Sequence, residues 1–457
     1  MRVGCEPGSE HLIRTHGQAW VSRQQASLEI VPVKSGLQDD ENLDLRILRP
    51  AAMPRLAAAD RLTTLPDKLA ERGDGFDWNG LLSIYREQLL VWDKKTVALP
   101  LAGESAVCLY RTDLFSSPEH QTGYSAWLQK RGLKGTLAPP ATWVELAQQA
   151  EYFRERSNTP SLSALPADPY DLDRLFYQAA APYVRRAVRQ DEGQGPDHLA
   201  EVFAFHYDLK TGAPRIATPG FVAALELLQR LQACRPTGTS AHPEEALLAG
   251  KAVLAVADSS WILAVQQRPE LADKLGFVSL PGSSTYFTPD GQPRQMREGV
   301  NRIPYLGGMG WLGVVPRSAK YPDASWSFLA ELAGSVRSTQ IAAEPSHGGG
   351  PTRMEHLLRD RWDAYGLHAT AALSLKDILG RHVLQHGLKN PVMVLRIPDE
   401  ASHRAAMHTA LHSVLADKKD PAKALTEAAK AWSALDEARG KERHLREYRL
   451  SLGLTAN

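Results

Sequence analysis

Apolar positions in the first hundred residues alternate between short continuous runs and helical spacing. MRVGC, ASLEIVPV and LDLRIL are runs that predict strands, whereas EHLIRTHGQAWVSRQQ repeats apolar residues three and four apart and predicts a helix. Alternation of this kind implies an α/β chain with a mostly parallel sheet flanked by helices. Ligands in such sheets bind beyond the carboxyl ends of strands, which points to the loops after Val3 and Leu48. Glu6 and Arg49 stand in those loops, and the helical pattern MPRLAAADRL follows Arg49-Pro50.

Further along, WDKKTVALPLAGESAVCLYRTDLF gives two strands in series, TVALPL and AVCLYR, separated by the polar break Gly103-Glu104-Ser105. A segment leaving one lobe and entering another has this form. APPATWVELAQQAEYFRER predicts a helix capped by Thr142, with Glu145 at the capping-box position. SLSALPADPYDLDRLFYQAAA places Asp168-Pro169-Tyr170 in a loop between a short strand and a helix. FAFHYDLKTGAPRIATPGFVAALELLQRL predicts a turn at Lys210-Thr211-Gly212, a strand at PRIA and a helix from Pro219. HPEEALLAGKAVLAVADSSWILAV reads as helix, glycine stop and strand, broken at Asp258-Ser259-Ser260 before Trp261. Residues 277–305 are dense in Gly, Pro, Ser and Asp and predict a long loop, of the kind that is usually functional or mobile. GGMGWLGVVPRSAKYPDASWSFLAEL predicts a strand, a turn at Pro316 to Lys320 and a helix from Asp323. After the glycine-rich break SHGGGPTR the pattern is helical to the end, and no solenoid period appears.

Length adds a division: 457 residues exceed what a single hydrophobic core usually supports, so two packed lobes are expected. A hydrophobic fraction of 43% with 23% charged residues fits a globular chain and excludes a disordered one. The formal net charge of +1 offers no global field for nucleic acid or an anionic membrane. Cys5, Cys108 and Cys234 are too few and scattered for a disulfide framework or a thiolate metal site. No run of about 18 apolar residues is present to span a bilayer. No export leader is visible, and MRVGCEPGSE reads as a strand beginning almost at residue 1, as though a leader had been trimmed. RVGC is similar to the end of a lipoprotein box, but Arg2 and the missing apolar run favour a plain strand cysteine.

Catalytic signatures are missing: the chain has no G-x-S-x-G elbow, H-E-x-x-H or phosphate-binding P-loop. His347-Gly348-Gly349-Gly350 is similar to an esterase oxyanion stretch, but without a nucleophile elbow it reads as a turn. His382 with His386, and His408 with His412, have the four-residue spacing that can hold a metal, yet no carboxylate accompanies them and packing is the simpler reading. GGMG precedes a strand where a dinucleotide fingerprint would follow one, so it is not a nucleotide loop. What remains are polar and aromatic residues at strand ends: Glu6, Arg49, Glu104, Asp168, Tyr170, Trp261, Trp311 and Arg353. Aromatic faces against C–H surfaces, with carboxylates and arginines on hydroxyls, would make a sugar site. Each also fits ordinary packing, and Trp261 either plugs a core or faces a cleft. A hydrolase would need two carboxylates about one bond, for which Glu104 and Asp168 are the candidates.

The order of these segments resembles the extracellular solute-binding proteins of ABC importers, the family that includes maltose- and other oligosaccharide-binding proteins. The likeness runs from MRVGC to the terminal helices and is carried by four stretches: WDKKTVALPLAGESAVCLYRTDLF, PPATWVELAQQAEYF, LLAGKAVLAVADSSWILAV and GWLGVVPRSAKYPDASWSFLAEL. It implies a two-lobed periplasmic-binding-protein fold of type II, closing on ligand by hinge bending. The implied lobes are residues 1–108 plus 312–347 and residues 109–305 plus 353–457, with crossovers at 306–311 and 348–352. It also implies a monomer outside the cytoplasm that captures a small polar solute, carbohydrate first among candidates, and delivers it to an ABC permease. No catalysis, cofactor, metal or nucleic acid is implied. Glu104 falls where the family places a ligand-contacting carboxylate, and Asp168 and Tyr170 match the sugar platform of the second lobe. Trp261 matches a strand-end Trp, which favours its cleft reading, while Gly308 and Trp311 lie where a crossover lines the cleft. Arg353 sits where many members carry Pro-x-Arg. RPAAMP lacks the acidic and basic pair of maltose-type proteins, and NPVMVLRIP lacks their late aromatic, so a maltodextrin ligand does not follow. A carbohydrate-active hydrolase and a sensor that passes its occupied state to a receptor are the alternatives.

Overall fold

The computed structural model describes residues 1–33, 42–70, 76–103, 105–156, 169–188, 203–235, 246–247, 249–250, 252–266, 268, 274–308, 310–344, 350–357 and 391–454. Two sheets organise them. The first contains β1 (Arg2–Cys5), β2 (Glu29–Pro32), β3 (Leu45–Leu48) and β4 (Ala98–Ala102), and a strand from late in the chain, β9 (Trp311–Val314). Its order is β2-β1-β3-β9-β4, with β1 parallel to both neighbours and β9 antiparallel to β3 and β4. β3, β4 and β9 are buried along their whole length, as expected for apolar runs covered on both faces.

The segment predicted as one helix after β1 forms two, α1 (Glu10–His16) and α2 (Gln18–Gln24), which meet at Gly17. A Cβ on Gly17 would lie 3.0 Å from the Phe328 ring, so the bare backbone lets the joint approach that side chain. Phe328 belongs to α6 (Pro322–Ala333), and Gly313 lets the same helix pack on β9: a Cβ there would lie 2.1 Å from Leu329 Cδ2.

The second sheet comprises β5 (Ala106–Arg111), β6 (Leu254–Asp258) and β7 (Leu275–Ser279), ordered β6-β5-β7. Both ladders are antiparallel, so the mostly parallel sheet expected for this half is corrected. The strand that brings the chain over from the first sheet occupies the centre and runs against both neighbours. β5 lies wholly in this sheet, so the expected boundary at 108 falls inside a strand of it. Around its core pack α3 (Trp143–Glu155), α4 (Pro169–Val184), α5 (Pro219–Ala233), α7 (Glu400–Leu415), α8 (Pro421–Arg439) and α9 (Lys441–Ser451). Thr142 caps α3 in a complete capping box with Glu145, as its sequence predicts. PRIA is not a strand; Pro214 makes an isolated bridge with Tyr207 and a turn follows. The expected loop over 277–305 contains the end of β7 and an antiparallel hairpin, Thr285–Phe287 with Pro293–Gln295.

Each sheet has its own apolar core, one around Val3, Ile47, Leu99 and Leu312, the other around Phe153, Phe176, Phe221 and Trp432. A short parallel ladder, β8 (Tyr305–Leu306) with β10 (Val392–Met393), separates them. Because side chains alternate along a strand, Tyr305 and Val392 enter the second core while Leu306 and Met393 enter the first.

Candidate functional site

Polar side chains gather at the carboxyl ends of β1 and β3, against the crossover before β9. Glu6 is 2% exposed. Its Oε2 accepts from the Arg49 N–H at 3.1 Å, and its Oε1 lies 3.6 Å from Arg46 Nη2. Burial pushes the Glu6 carboxyl above the usual glutamate range, against the Arg49 N–H and the charges of Arg46, Arg49 and Arg404. The Arg49 guanidinium lies over the Trp311 ring at 4.1 Å. Trp311 sits at a register shift in the β9–β4 ladder, where a bulge re-aims a side chain, and Gly8 leaves room beside its ring.

The facing wall comes from α4, α7 and α8. Arg174 on α4 donates from Nη1 to Asp258 Oδ1 at 2.6 Å, tying the helix to the end of β6. Tyr177, one turn on, stacks against Tyr305 with ring centroids 5.5 Å apart. Gly308 packs on both: a Cβ there would lie 3.1 Å from Arg174 Cγ and from Tyr305 Cε1. On α7, buried Glu400 pairs with Arg404 at 3.4 Å. Burial raises the Glu400 carboxyl, Arg404 lowers it, and Glu6 raises it further, so carboxylates from the two cores oppose one another. A small cavity of about 20 Å³ lies between Arg174, Tyr177, Gly308, Glu400, Arg404 and Trp432. A neighbouring one of about 30 Å³ shares Tyr305 and reaches Ser105. A larger hollow, about 660 Å³, lies against α6 near Arg23 and Phe76, away from these strand ends.

Glu6, Arg49, Gly308 and Trp311, named from sequence, therefore share this region. Trp261 does not stand in a loop: the strand gives way directly to a one-turn-plus helix, Ser260–Gln266, and the half-buried indole packs on the cluster holding Val107 and Leu109. Tyr170 lies in the first turn of α4 rather than in a loop. Arg353 is fully buried and stitches main chain, donating to Ala333 O at 3.0 Å, Asp77 O at 2.9 Å and Glu355 Oε1 at 2.7 Å. Glu104 and Asp168 lie outside the described residues, as do His382, His386 and the His347–Gly349 stretch. His408 and His412 have ring centroids 6.4 Å apart on α7. Sequence reasoning missed Arg174, Tyr177, Tyr305, Glu400 and Arg404. Only the i, i+3 and i, i+4 polar spacing of the helical residues marked them, and that is also the mark of a solvated face.

Chemically the region offers paired carboxylates and guanidinium groups for hydroxyls, with Trp311 and the Tyr177–Tyr305 pair for flat apolar faces. Fixed charges of both signs in a buried setting suit reversible binding of a polar molecule.

No family model matches the chain, and no curated protein does. Among solved structures it is similar to maltose-bound MalE3 of T. maritima, with 17% identity, a TM-score of 0.65 and 95% of this chain covering 99% of that one. An ABC transporter solute-binding protein of Agrobacterium radiobacter K84 in complex with ribitol matches equally, with 17% identity, a TM-score of 0.65, and 95% and 98% coverage. An ABC substrate-binding protein of Listeria monocytogenes in complex with cycloalternan follows at 13% identity, a TM-score of 0.63, and 96% and 98% coverage. Along almost its whole length, then, the chain has the two-lobed α/β fold of the periplasmic binding proteins.

Proposed function

We propose that the protein is the extracytoplasmic solute-binding component of an ABC importer, capturing a small polar solute of the carbohydrate class between its lobes and presenting it to the permease. The observation that carries this reading is the end-to-end likeness to solved proteins whose descriptions name maltose, ribitol and cycloalternan. The cleft chemistry of Glu6, Arg49, Trp311, Tyr177 and Glu400 supports it. The lobes in this reading are residues 1–103 with the β9–α6 region, and residues 105–305 with the C-terminal helices. The protein binds without turnover, and it acts as a monomer.

The experiment is a thermal-shift and calorimetric screen of sugars, oligosaccharides and polyols. A true ligand at a hundred times its Kd stabilises by about 2.7 kcal/mol. Trp311→Ala is expected to weaken that binding about tenfold or more, through loss of an aromatic platform and of the Arg49 stack. The bound ligand should be recovered chemically unchanged after long incubation. Silence across the whole panel, or conversion of the ligand, overturns the proposal.

A further inference from the structure

Behind the cleft wall the last three helices bury a polar cluster for which solute capture has no use. His403 on α7, Asp436 on α8 and His444 on α9 are all buried, and their ligand atoms lie within 4.8 Å of one another. We propose that His403, Asp436 and His444 form a closed structural site for a divalent metal of the zinc type, pinning the three helices together.

The argument begins with the protons. His403 Nδ1 faces the Asp399 carbonyl oxygen at 3.0 Å, and since a carbonyl only accepts, Nδ1 carries the hydrogen. Its Nε2 lies 2.9 Å from Asp436 Oδ1. The same oxygen accepts from the Tyr207 hydroxyl at 3.2 Å and lies 3.2 Å from His444 Nδ1. That last approach lacks hydrogen-bond alignment: neither ring nitrogen of His444 has a hydrogen-bond partner, and neither does the buried Asp436 Oδ2. Nitrogen and oxygen atoms thus converge from three sides, and the buried His444 nitrogens and Asp436 Oδ2 are left without hydrogen-bond partners, which is costly.

A cation among them satisfies all three groups and balances the carboxylate. Ligand atoms bound at about 2.0–2.1 Å in a tetrahedral shell stand roughly 3.3 Å apart, close to the spacings around Asp436 Oδ1. The hydrogen bond from His403 Nδ1 to a backbone carbonyl is the outer contact that orients a metal-binding imidazole. Two imidazoles with one carboxylate favour zinc over magnesium or calcium, which take oxygen-rich shells. The Tyr207 hydroxyl stands where it can complete a fourth position. The nearby charges are already matched, Arg439 being paired with Asp399 and Glu447. The site touches the cleft through Trp432, whose Nε1 donates to His403 O at 2.8 Å and whose ring lines the cavity. The metal therefore holds the back wall in place, without contacting the solute.

The test uses the full chain, unfolded with a chelator, then refolded with or without zinc and desalted. Expected are about one retained zinc per chain and a melting temperature raised by roughly 3 °C or more. Refolding with cobalt should give the visible absorption of a tetrahedral centre, displaced by zinc. H444Q and D436N should each lower zinc retention tenfold or more, while H408Q, on the same helix as His403, should leave it unchanged. If either variant fails to fold, uptake by the wild-type chain decides alone. Retention below a tenth of a zinc per wild-type chain, or undiminished retention in folded H444Q and D436N, overturns the site and leaves a shared proton as the cluster's occupant.

Discussion

Glu6 shows how a buried carboxylate ties charge to stability. Burial raises its pKa from 4.5, and Glu400 is raised in the same direction, with Glu6 itself among the causes. A group with a raised folded-state pKa holds its proton more tightly when folded, so its contribution favours folding below 4.5 and is lost as pH rises through the raised value. Above the raised value that contribution is gone and burial of the charge opposes folding, although Arg46, Arg49 and Arg404 soften the penalty. Glu6→Gln is expected to stabilise the chain at pH 7 by on the order of 1 kcal/mol, with the advantage shrinking as pH falls toward the glutamate range. Urea unfolding of both proteins across that interval measures it, and a constant difference with pH would refute the assignment. The same substitution should weaken solute binding if the carboxylate accepts from a hydroxyl. Glu6, Arg49 and Trp311 were legible in the sequence because each follows or opens an apolar run, where α/β sheets place ligands. Arg174, Tyr177, Glu400 and Arg404 were not, because on a helix a polar residue facing a cleft has the same periodicity as one facing water.

Among the elements, α3 has its start written most plainly. Thr142 accepts from the Glu145 N–H at 3.1 Å, and Glu145 Oε2 accepts from the Ala141 and Thr142 N–H groups at 2.7 and 3.3 Å. The helix then carries Trp143, Leu146, Tyr152 and Phe153 into the second core. Thr142→Ala removes one arm of the box and is expected to cost about 0.5–2 kcal/mol, read as a lower urea midpoint at unchanged slope; Thr142→Ser should restore most of it. The strands were legible as apolar runs, yet direction was not. Nothing in AVCLYR states that β5 runs against both neighbours, because an apolar run looks the same in either ladder and orientation is fixed by where the chain came from. The helix beginning at Ser260 was missed for a related reason, since a few residues after a strand are too short for a period to emerge.

At the scale of the molecule, the connections between the two sheets meet backbone to backbone. Gly103 bridges Gly350, and a Cβ on Gly103 would lie 2.6 Å from Gly350 O and 2.7 Å from Pro351 O. Gly310 arrives from the other crossover with φ +80°, where a Cβ would lie 2.5 Å from Ala102 O. Side chains are excluded from this junction, so the crossovers can lie side by side and bend with little to repack. Arg396 makes a separate tie, its buried guanidinium donating to Gln88 O, Leu89 O, Val91 O and Ser451 O and so joining the C-terminal helix to the first core. Gly310→Ala meets both obstacles together, a left-handed backbone and a carbonyl that belongs to a sheet strand and cannot swing aside. It is expected to cost about 1–3 kcal/mol from the backbone conformation alone, and more from the clash. An alanine at Gly132, which has φ +69° but open space around it, isolates the conformational share. If Gly310→Ala is no more destabilising than Gly132→Ala in urea unfolding, the close approach of the crossovers is not what glycine is needed for. If it is more destabilising, the excess measures how tightly the two crossovers are held together between the sheets.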